Sequence, residues 1–444
     1  PITLRISVIL DANIYIFTQL SKQISVILHI IMEYNSCTLS NGLRVIHRPS
    51  ASRVVFCGYG VAAGSRHEAK DDEGIAHFCE HVTFKGTERR KACHIINALE
   101  RVGGDLNAFT NKEDTFFYAA VMNDHLARAV DLLSDMVFHS VYPQHEIDKE
   151  VEIICDEIES YHDSPAELIY DEFENLVFAG HPVGHNILGN ADRVRRFTTA
   201  DALRFTHEHY RADRAIFFAY GDIDFGRLTR MLCKAMDCTV AAEGAQRKPF
   251  SPIPSPFMQP LTGQTIVSER HTHQAHVMMG NRTFDIHDPR RIALFVLNNI
   301  LGGPGMNARL NMALRERHGL VYTVESSMVC YGDTGMWATY FGCDPHDVKR
   351  CMRLVRSELN RVCDHSLTET QLANAKRQLK GQIGIACDNR ENFALDFAKS
   401  FLHYGWEKDT ERLFAQIDSV TAADIQQVAQ TVFDPTQLTT LIYK

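Results

Sequence analysis

Shifted by 221 residues, the sequence falls on a second copy of its own pattern. Leu43–Ala62 (LRVIHRPSASRVVFCGYGVA) lies over Gln264–Thr283 (QTIVSERHTHQAHVMMGNRT), and both read as an alternating strand, a polar turn and a more apolar strand. The same shift sets Val121–Leu133 over Gly342–Leu354, each a strand end, a polar turn holding His125 or His346, and an amphipathic helix. At a shift of 223, Thr198–Tyr210 covers Thr421–Phe433, two helix starts capped by threonine. A near-constant offset over three stretches predicts duplication, which restricts the fold to two versions of one unit. Each version mixes hairpin-like strands with long helices. The predicted class is therefore α+β: two duplicated domains, each a mostly antiparallel sheet packed with helices.

Between the copies, Lys248–Pro260 carries prolines at 249, 252, 254, 256 and 260, a composition that favours an extended linker. The predicted division is 32–240, a linker over 241–261, and 262–444, with residues 1–31 an extension outside the fold. That extension is two apolar runs, Ile6–Leu10 and Ile24–Ile31, the second too short to span a bilayer; no secretory signal pattern accompanies them, and Met32 is the first methionine. No membrane partner is expected. Nor is a nucleic acid: 46 Lys and Arg against 55 Asp and Glu leave a net charge of −9 without the clustered basic charge such binding draws on. The 12 cysteines form no C-x-x-C pair and read as free thiols of a reducing compartment, so a cytoplasmic location is expected.

The first copy contains His77-Phe78-Cys79-Glu80-His81. On a helix, His77 and His81 share a face at i and i+4, and Glu80 flanks it. Two neutral imidazoles at that spacing can hold one Zn²⁺, with Glu80 placed beside an open position to take a proton from water. The competing reading is a surface ion-pair cluster on an ordinary helix. A catalytic zinc usually has a third protein ligand. Downstream, Ile147, Val151, Ile154 and Ile158 form a helical core stripe, and Glu150 and Glu157, two turns apart, sit at its margin. Glu152 and Glu159 read as a solvated acidic face. Periodicity does not choose between Glu157 and Asp156 as ligand.

His77, Glu80 and His81 with the distant Glu157 resemble the pitrilysin/insulinase family of zinc peptidases, which carries an H-x-x-E-H helix and a far glutamate ligand. Further stretches that resemble it are Thr38-Leu-Ser-Asn-Gly-Leu-Arg-Val, Gly74-Ile-Ala-His-Phe, Gly103-Gly-Asp-Leu-Asn-Ala108 and Leu301-Gly-Gly ahead of Arg315-Glu-Arg-His-Gly-Leu-Val-Tyr322. The resemblance covers about 34–444 and is to the smaller two-domain members, similar to the mitochondrial processing peptidases and their bacterial relatives. It implies that His77, His81 and Glu157 bind Zn²⁺, that Glu80 is the general base, and that Glu150 is a second acidic residue orienting the site. It further implies that Asn107 and Ala108 contact substrate on a sheet edge, and that Arg315 and Tyr322 bind substrate and stabilise the oxyanion. The implied activity is zinc-dependent endopeptidase hydrolysis of extended or unfolded polypeptides.

Two such halves enclose substrate in this family, so a homodimer, or a dimer with a related subunit, is implied, with Arg315 and Tyr322 serving the partner's zinc. The alternative is a non-catalytic assembly or scaffold subunit. In the second copy, Asn298, Leu301 and Gly302 replace His77, Glu80 and His81, and Gln378 replaces Glu157, so that copy cannot bind metal in the same way. Its loop Gly302-Gly-Pro-Gly-Met-Asn307 departs from the family's glycine or glycine/serine loop at Pro304. His271, His273 and His276 have no acidic or Cys partner that would make them a metal tract, and His181-Pro-Val-Gly-His185 reads as structural.

Overall fold

The computed structural model describes residues 34–241, 261–270 and 272–444. The expected extension 1–31, the linker apart from Ala241 and Leu261, and His271 lie outside the described residues. Two mixed sheets organise the chain. The first contains β1 (Asn35–Thr38), β2 (Arg44–Pro49), β3 (Val54–Val61), β4 (Asp105–Thr110), β5 (Thr115–Met122) and β6 (Ala215–Gly221), in the order β1-β2-β6-β3-β5-β4. The second contains β7 (Thr265–Ser268), β8 (Ala275–Thr283), β9 (Val321–Cys330), β10 (Gly335–Cys343) and β11 (Thr439–Tyr443), in the order β7-β11-β8-β10-β9. Only β2–β6 and β7–β11 pair in parallel; every other pair is antiparallel. Apart from β1, the two orders correspond strand for strand, as the repeat predicts.

The helices of the first half are α1 (Ile75–Thr83), α2 (Ala92–Glu100), α3 (Leu126–His139), α4 (Gln144–His162), α5 (Pro165–Val177), the short α6 (Ala191–Val194), α7 (Thr199–His209) and α8 (Phe225–Ala235). Those of the second are α9 (Arg290–Gly302), α10 (Val348–Asp364), α11 (Glu369–Cys387), α12 (Arg390–Tyr404), α13 (Thr410–Ser419) and α14 (Ala422–Val432), with a π-helical turn at Asn311–Glu316. The equivalent helices α7 and α14 both begin in a capping box, Thr198 with Asp201 and Thr421 with Asp424. In each, the threonine and the acid satisfy backbone amides that the first turn would otherwise leave bare.

Strands such as Phe116–Val121 and Ala215–Tyr220 are apolar on both faces, as expected of a sheet buried on both sides. One face of each sheet is covered by helices of its own copy. The other is covered by a helix from the opposite copy. Leu168, Ile169, Phe173 and Val177 of α5 pack on Met278, Met336, Tyr340 and Leu441 of the second sheet. In return, Ala394, Phe397, Ala398 and Leu402 of α12 pack on Ile46, Phe116, Ile216 and Phe218 of the first. Polar groups fix the exchange: Arg44 donates to the Phe401 and Leu402 carbonyls at 2.9 and 2.7 Å, Tyr118 donates to Glu391 at 2.8 Å, and Arg282 donates to the Val177 carbonyl at 2.6 Å. All 12 cysteines are unpaired. Among the described residues no helix is long and apolar enough to cross a membrane.

Because each exchanged helix closes the other copy's core, the halves should unfold together. Phe397→Ala, in the second copy, is expected to cost about 3–5 kcal/mol. That loss should appear in a single urea transition reported equally by probes in both halves. Two separate transitions, with the first half unaffected, would contradict the exchange.

Candidate metal centre

The nine-residue helix α1 presents His77 and His81 on one face with ring centroids 4.6 Å apart. Ile75, Ala76, Phe78, Cys79 and Val82 are buried and seat the helix in the first core. Helix α4 lies beside it on the stripe Ile147, Val151, Ile154 and Ile158, all buried as the spacing predicts. This packing resolves what periodicity leaves open: Glu157, not Asp156, faces the imidazoles. Glu157 Oε2 lies 3.4 Å from His81 Nε2 and 3.9 Å from His77 Nε2. Among the described residues this is the only group of three or more His, Cys, Asp or Glu whose ligand atoms all converge within 4.8 Å. Glu152 and Glu159 are exposed, as expected.

Glu150, two turns before Glu157 on α4, is buried and sits 3.0 Å from His81 Nδ1, so His81 is held between two carboxylates. Lys85 approaches the other Glu150 oxygen at 2.5 Å. Glu80 is also buried, and its Oε2 accepts from the Thr110 hydroxyl at 2.6 Å. Burial pushes the Glu80 carboxyl above its usual range, against the Thr110 hydrogen bond. Burial, reinforced by neighbouring His81, pushes His77 down to about 4. For His81, burial opposes the charged form, but Glu150, Glu157 and Glu80 together outweigh it and raise the imidazole to about 9. Sequence reading missed Thr110 and Lys85. Thr110 comes from a strand distant in sequence, and no periodic signal marks either residue.

Thr110 ends β4, one of the two edge strands of the first sheet. Asn107 is exposed and Ala108 half-buried on this strand, paired with Tyr118 and Phe117 of β5. The expected substrate-contacting residues thus sit on an open edge that leads to Glu80.

The second copy shows what becomes of the same scaffold without the ligands. Gln378, at the position of Glu157, exchanges hydrogen bonds with Asn307 at 3.0 and 3.2 Å. Asn298, at the position of His77, accepts from the Trp337 indole at 3.0 Å. A Cβ at Gly303 would meet Asn299 Oδ1 at 2.3 Å, and one at Gly305 would meet Gln378 at 2.5 Å, so the flanking glycines still allow close approach despite Pro304. This loop borders a cavity of about 620 Å³ that Arg315 and Tyr322 also line. Tyr322 is 79% exposed at the start of β9, with the Arg315 guanidinium 5.3 Å from its ring. Among the described residues, no hydrogen bond, ion pair or ring contact links this pair to His77, His81 or Glu157. Of the other histidines, His276 bonds the Tyr340 hydroxyl at 2.9 Å, and His181 and His185 bond carboxylates.

The chain is thus built of two repeated α+β units, one carrying a His-His-Glu group and one without it. Residues 44–191 match the family profile described as Insulinase (Peptidase family M16), and residues 196–379 match the Peptidase M16 inactive domain. The chain is 33% identical over 397 residues to an uncharacterized zinc protease of Streptomyces coelicolor, covering 89% of this chain and 86% of that protein. It is 29% identical over 398 residues to the beta subunit of the mitochondrial-processing peptidase of Bos taurus, covering 88% and 80%. A protease from Helicobacter pylori shares the fold, with a TM-score of 0.83 at 23% identity over 93% of this chain and 99% of that one. The chain belongs to peptidase family M16, the insulinase family.

A prediction follows from His81. Its folded pKa, about 9, lies above the ordinary 6.5. The stabilisation is therefore complete below pH 6.5 and is lost as pH rises through 9. The urea midpoint of metal-free protein should fall across that window, and His81→Gln should remove that fall. A flat wild-type midpoint would contradict the ion-pair arrangement.

Proposed function

We propose that this chain is a zinc-dependent endopeptidase acting on extended or unfolded polypeptides. The observation that supports it most directly is the spacing of the donor atoms. Zinc bonds of about 2.0–2.1 Å in a tetrahedron place neighbouring ligand atoms about 3.3–3.4 Å apart. His81 Nε2 and Glu157 Oε2 are 3.4 Å apart and His77 Nε2 and Glu157 Oε2 3.9 Å, so a small closure suffices. In this reading His77, His81 and Glu157 hold Zn²⁺, and Glu150 fixes the ring of His81 from behind, as outer carboxylates do for ligating histidines.

A zinc ion there supplies Lewis acidity toward the scissile carbonyl and makes water acidic enough to attack near neutral pH. The chain's own residues do the rest. Glu80 takes the proton from the attacking water and delivers it to the leaving amine. Its raised pKa suits both halves of that transfer. Thr110 aims the carboxylate and ties it to the end of β4. A substrate strand added to β4 beside Asn107 and Ala108 gains main-chain hydrogen bonds that demand little of its sequence. Arg315 and Tyr322, exposed and without a contact to this centre, are suited to complete the site of a second copy or a related subunit. There their donors would stabilise the developing oxyanion.

Glu80→Gln should bind zinc as the wild type does and lower peptide cleavage by about 10²–10⁴-fold; wild-type turnover would remove Glu80 from the role. A chelator should abolish cleavage by the wild type, and metal analysis should find one zinc per chain. Mixed with Tyr322→Phe protomers, Glu80→Gln protomers should regain part of the activity. Mixtures no more active than the average of the separate proteins would count against shared sites.

A further inference from the structure

Helix α1 has no cap of its own. Its N-cap residue, Gly74, has no side chain and stands at φ +97°, so the first-turn amides need acceptors from elsewhere. The Asp72 carbonyl takes the Ile75 amide at 3.0 Å, and Glu68 takes the amides on either side of it. One carboxylate oxygen accepts from the Gly74 amide at 2.9 Å and the other from the Ala76 amide at 2.9 Å. The first of these oxygens also lies 2.9 Å from His185 Nε2. The Glu68 side chain is fully shielded from solvent, and buried Lys112 donates to the His185 carbonyl.

The backbone reinforces this clasp. A Cβ at Gly189 would come within 2.4 Å of the Glu73 carbonyl, and one at Gly74 within 2.9 Å of the Leu188 carbonyl. Only two glycines let the 185–189 loop lie directly on the entry to the helix. Both strands of the clasp are tied to the second copy at one residue. Asp333, in the β9–β10 turn, accepts from Arg66 at 2.7 Å and faces His181 Nε2 at 3.3 Å. Arg66 is two residues before Glu68, and His181 is four before His185.

His77 is the third residue of α1, inside the turn that Glu68 holds, whereas His81 lies in the last turn. The His77 Nδ1 is buried without a hydrogen-bond partner, so no bond at that atom aims the ring. Its position depends on packing and on the backbone of the first turn.

We propose that Glu68 is a positioning residue: its carboxylate, oriented by His185 and anchored through Asp333 to the second copy, fixes the first turn of α1 and thereby sets His77 against Glu157. The inference rests on the reading of His77, His81 and Glu157 as a zinc site, and gives the second copy a structural part in that site.

The test uses the full chain carrying Glu68→Gln or Asp333→Asn, with two readouts. One is amide hydrogen exchange of metal-free protein over residues 74–84; the other is zinc affinity by competition with a chelator. Glu68→Gln sets a donor where two amides need an acceptor. It should speed exchange in that segment about tenfold, with the rest of the chain unchanged, and raise the zinc Kd about tenfold. Asp333→Asn touches neither α1 nor the ligands and should shift both readouts the same way, about threefold. Unchanged exchange over 74–84, or acceleration spread evenly over the chain, would overturn the proposal. If Glu68→Gln does not fold, His185→Gln replaces it, with about threefold faster local exchange expected and no change counting against the clasp. Should the wild type bind no zinc, the metal reading fails while exchange still decides the clasp. Should it bind zinc and both variants match it, the clasp fails and the metal reading stands.

Discussion

Everything else in the molecule depends on the exchange of α5 and α12 between the two sheets. Each sheet has two apolar faces, and the helices of its own copy cover only one. The second face is sealed by four apolar side chains of a helix from the other copy. At about 1.5–3 kcal/mol for each fully buried large apolar side chain, the α5 face, with Leu168, Ile169, Phe173 and Val177, contributes on the order of 10 kcal/mol before the entropy of ordering it. The same exchange brings the two edge hairpins tip to tip. Glu113, from the β4–β5 turn, accepts from Arg66 at 2.7 Å and from the Gly332 amide of the β9–β10 turn at 3.3 Å. Asp114, next to it and wholly buried, is held by His403 at 2.8 Å and Lys399 at 3.3 Å, both from α12.

This junction has consequences for the two edge strands. β4 ends at Thr110, which bonds Glu80, and β9 carries Tyr322 near its start. The turns that follow the two strands meet in one buried cluster of charges, satisfied by partners across the boundary between copies. Buried ion pairs of this kind add little net stability over an apolar replacement, but breaking one leaves a charge stranded and is costly. The cluster therefore fixes geometry more than it adds cohesion. Duplication has also left the copies free to diverge. Where Glu157 faces two imidazoles in the first, Gln378 bonds Asn307 in the second, and a glycine loop borders a cavity in place of the His-His-Glu group.

Much of this was legible in the sequence because it is local or periodic. The i, i+4 spacing of His77 and His81 predicts one face of one helix, the stripe from Ile147 to Ile158 predicts the buried side of α4, and the threonine caps mark the starts of α7 and α14. The strand order of the two sheets follows the repeat. The choice between Glu157 and Asp156 did not follow from periodicity, since both are exposed residues at the margin of the same stripe. Thr110, Lys85 and Glu68 carried no signal either. Each acts on a residue of another element, and a hydrogen bond between segments leaves no period in the chain.

The sequence by itself determined the two-copy α+β plan, the position of the H-x-x-E-H helix and the loss of that chemistry from the second copy. Those properties reside in side-chain order along single elements. Tertiary structure alone decided which sheet each amphipathic helix covers, which carboxylate meets the imidazoles, and what holds the first turn of α1. An amphipathic helix has the same pattern whichever apolar sheet it seals, and a capless helix gives no sign of the distant carboxylate that completes it. Only packing in three dimensions selects among partners that local chemistry leaves equivalent.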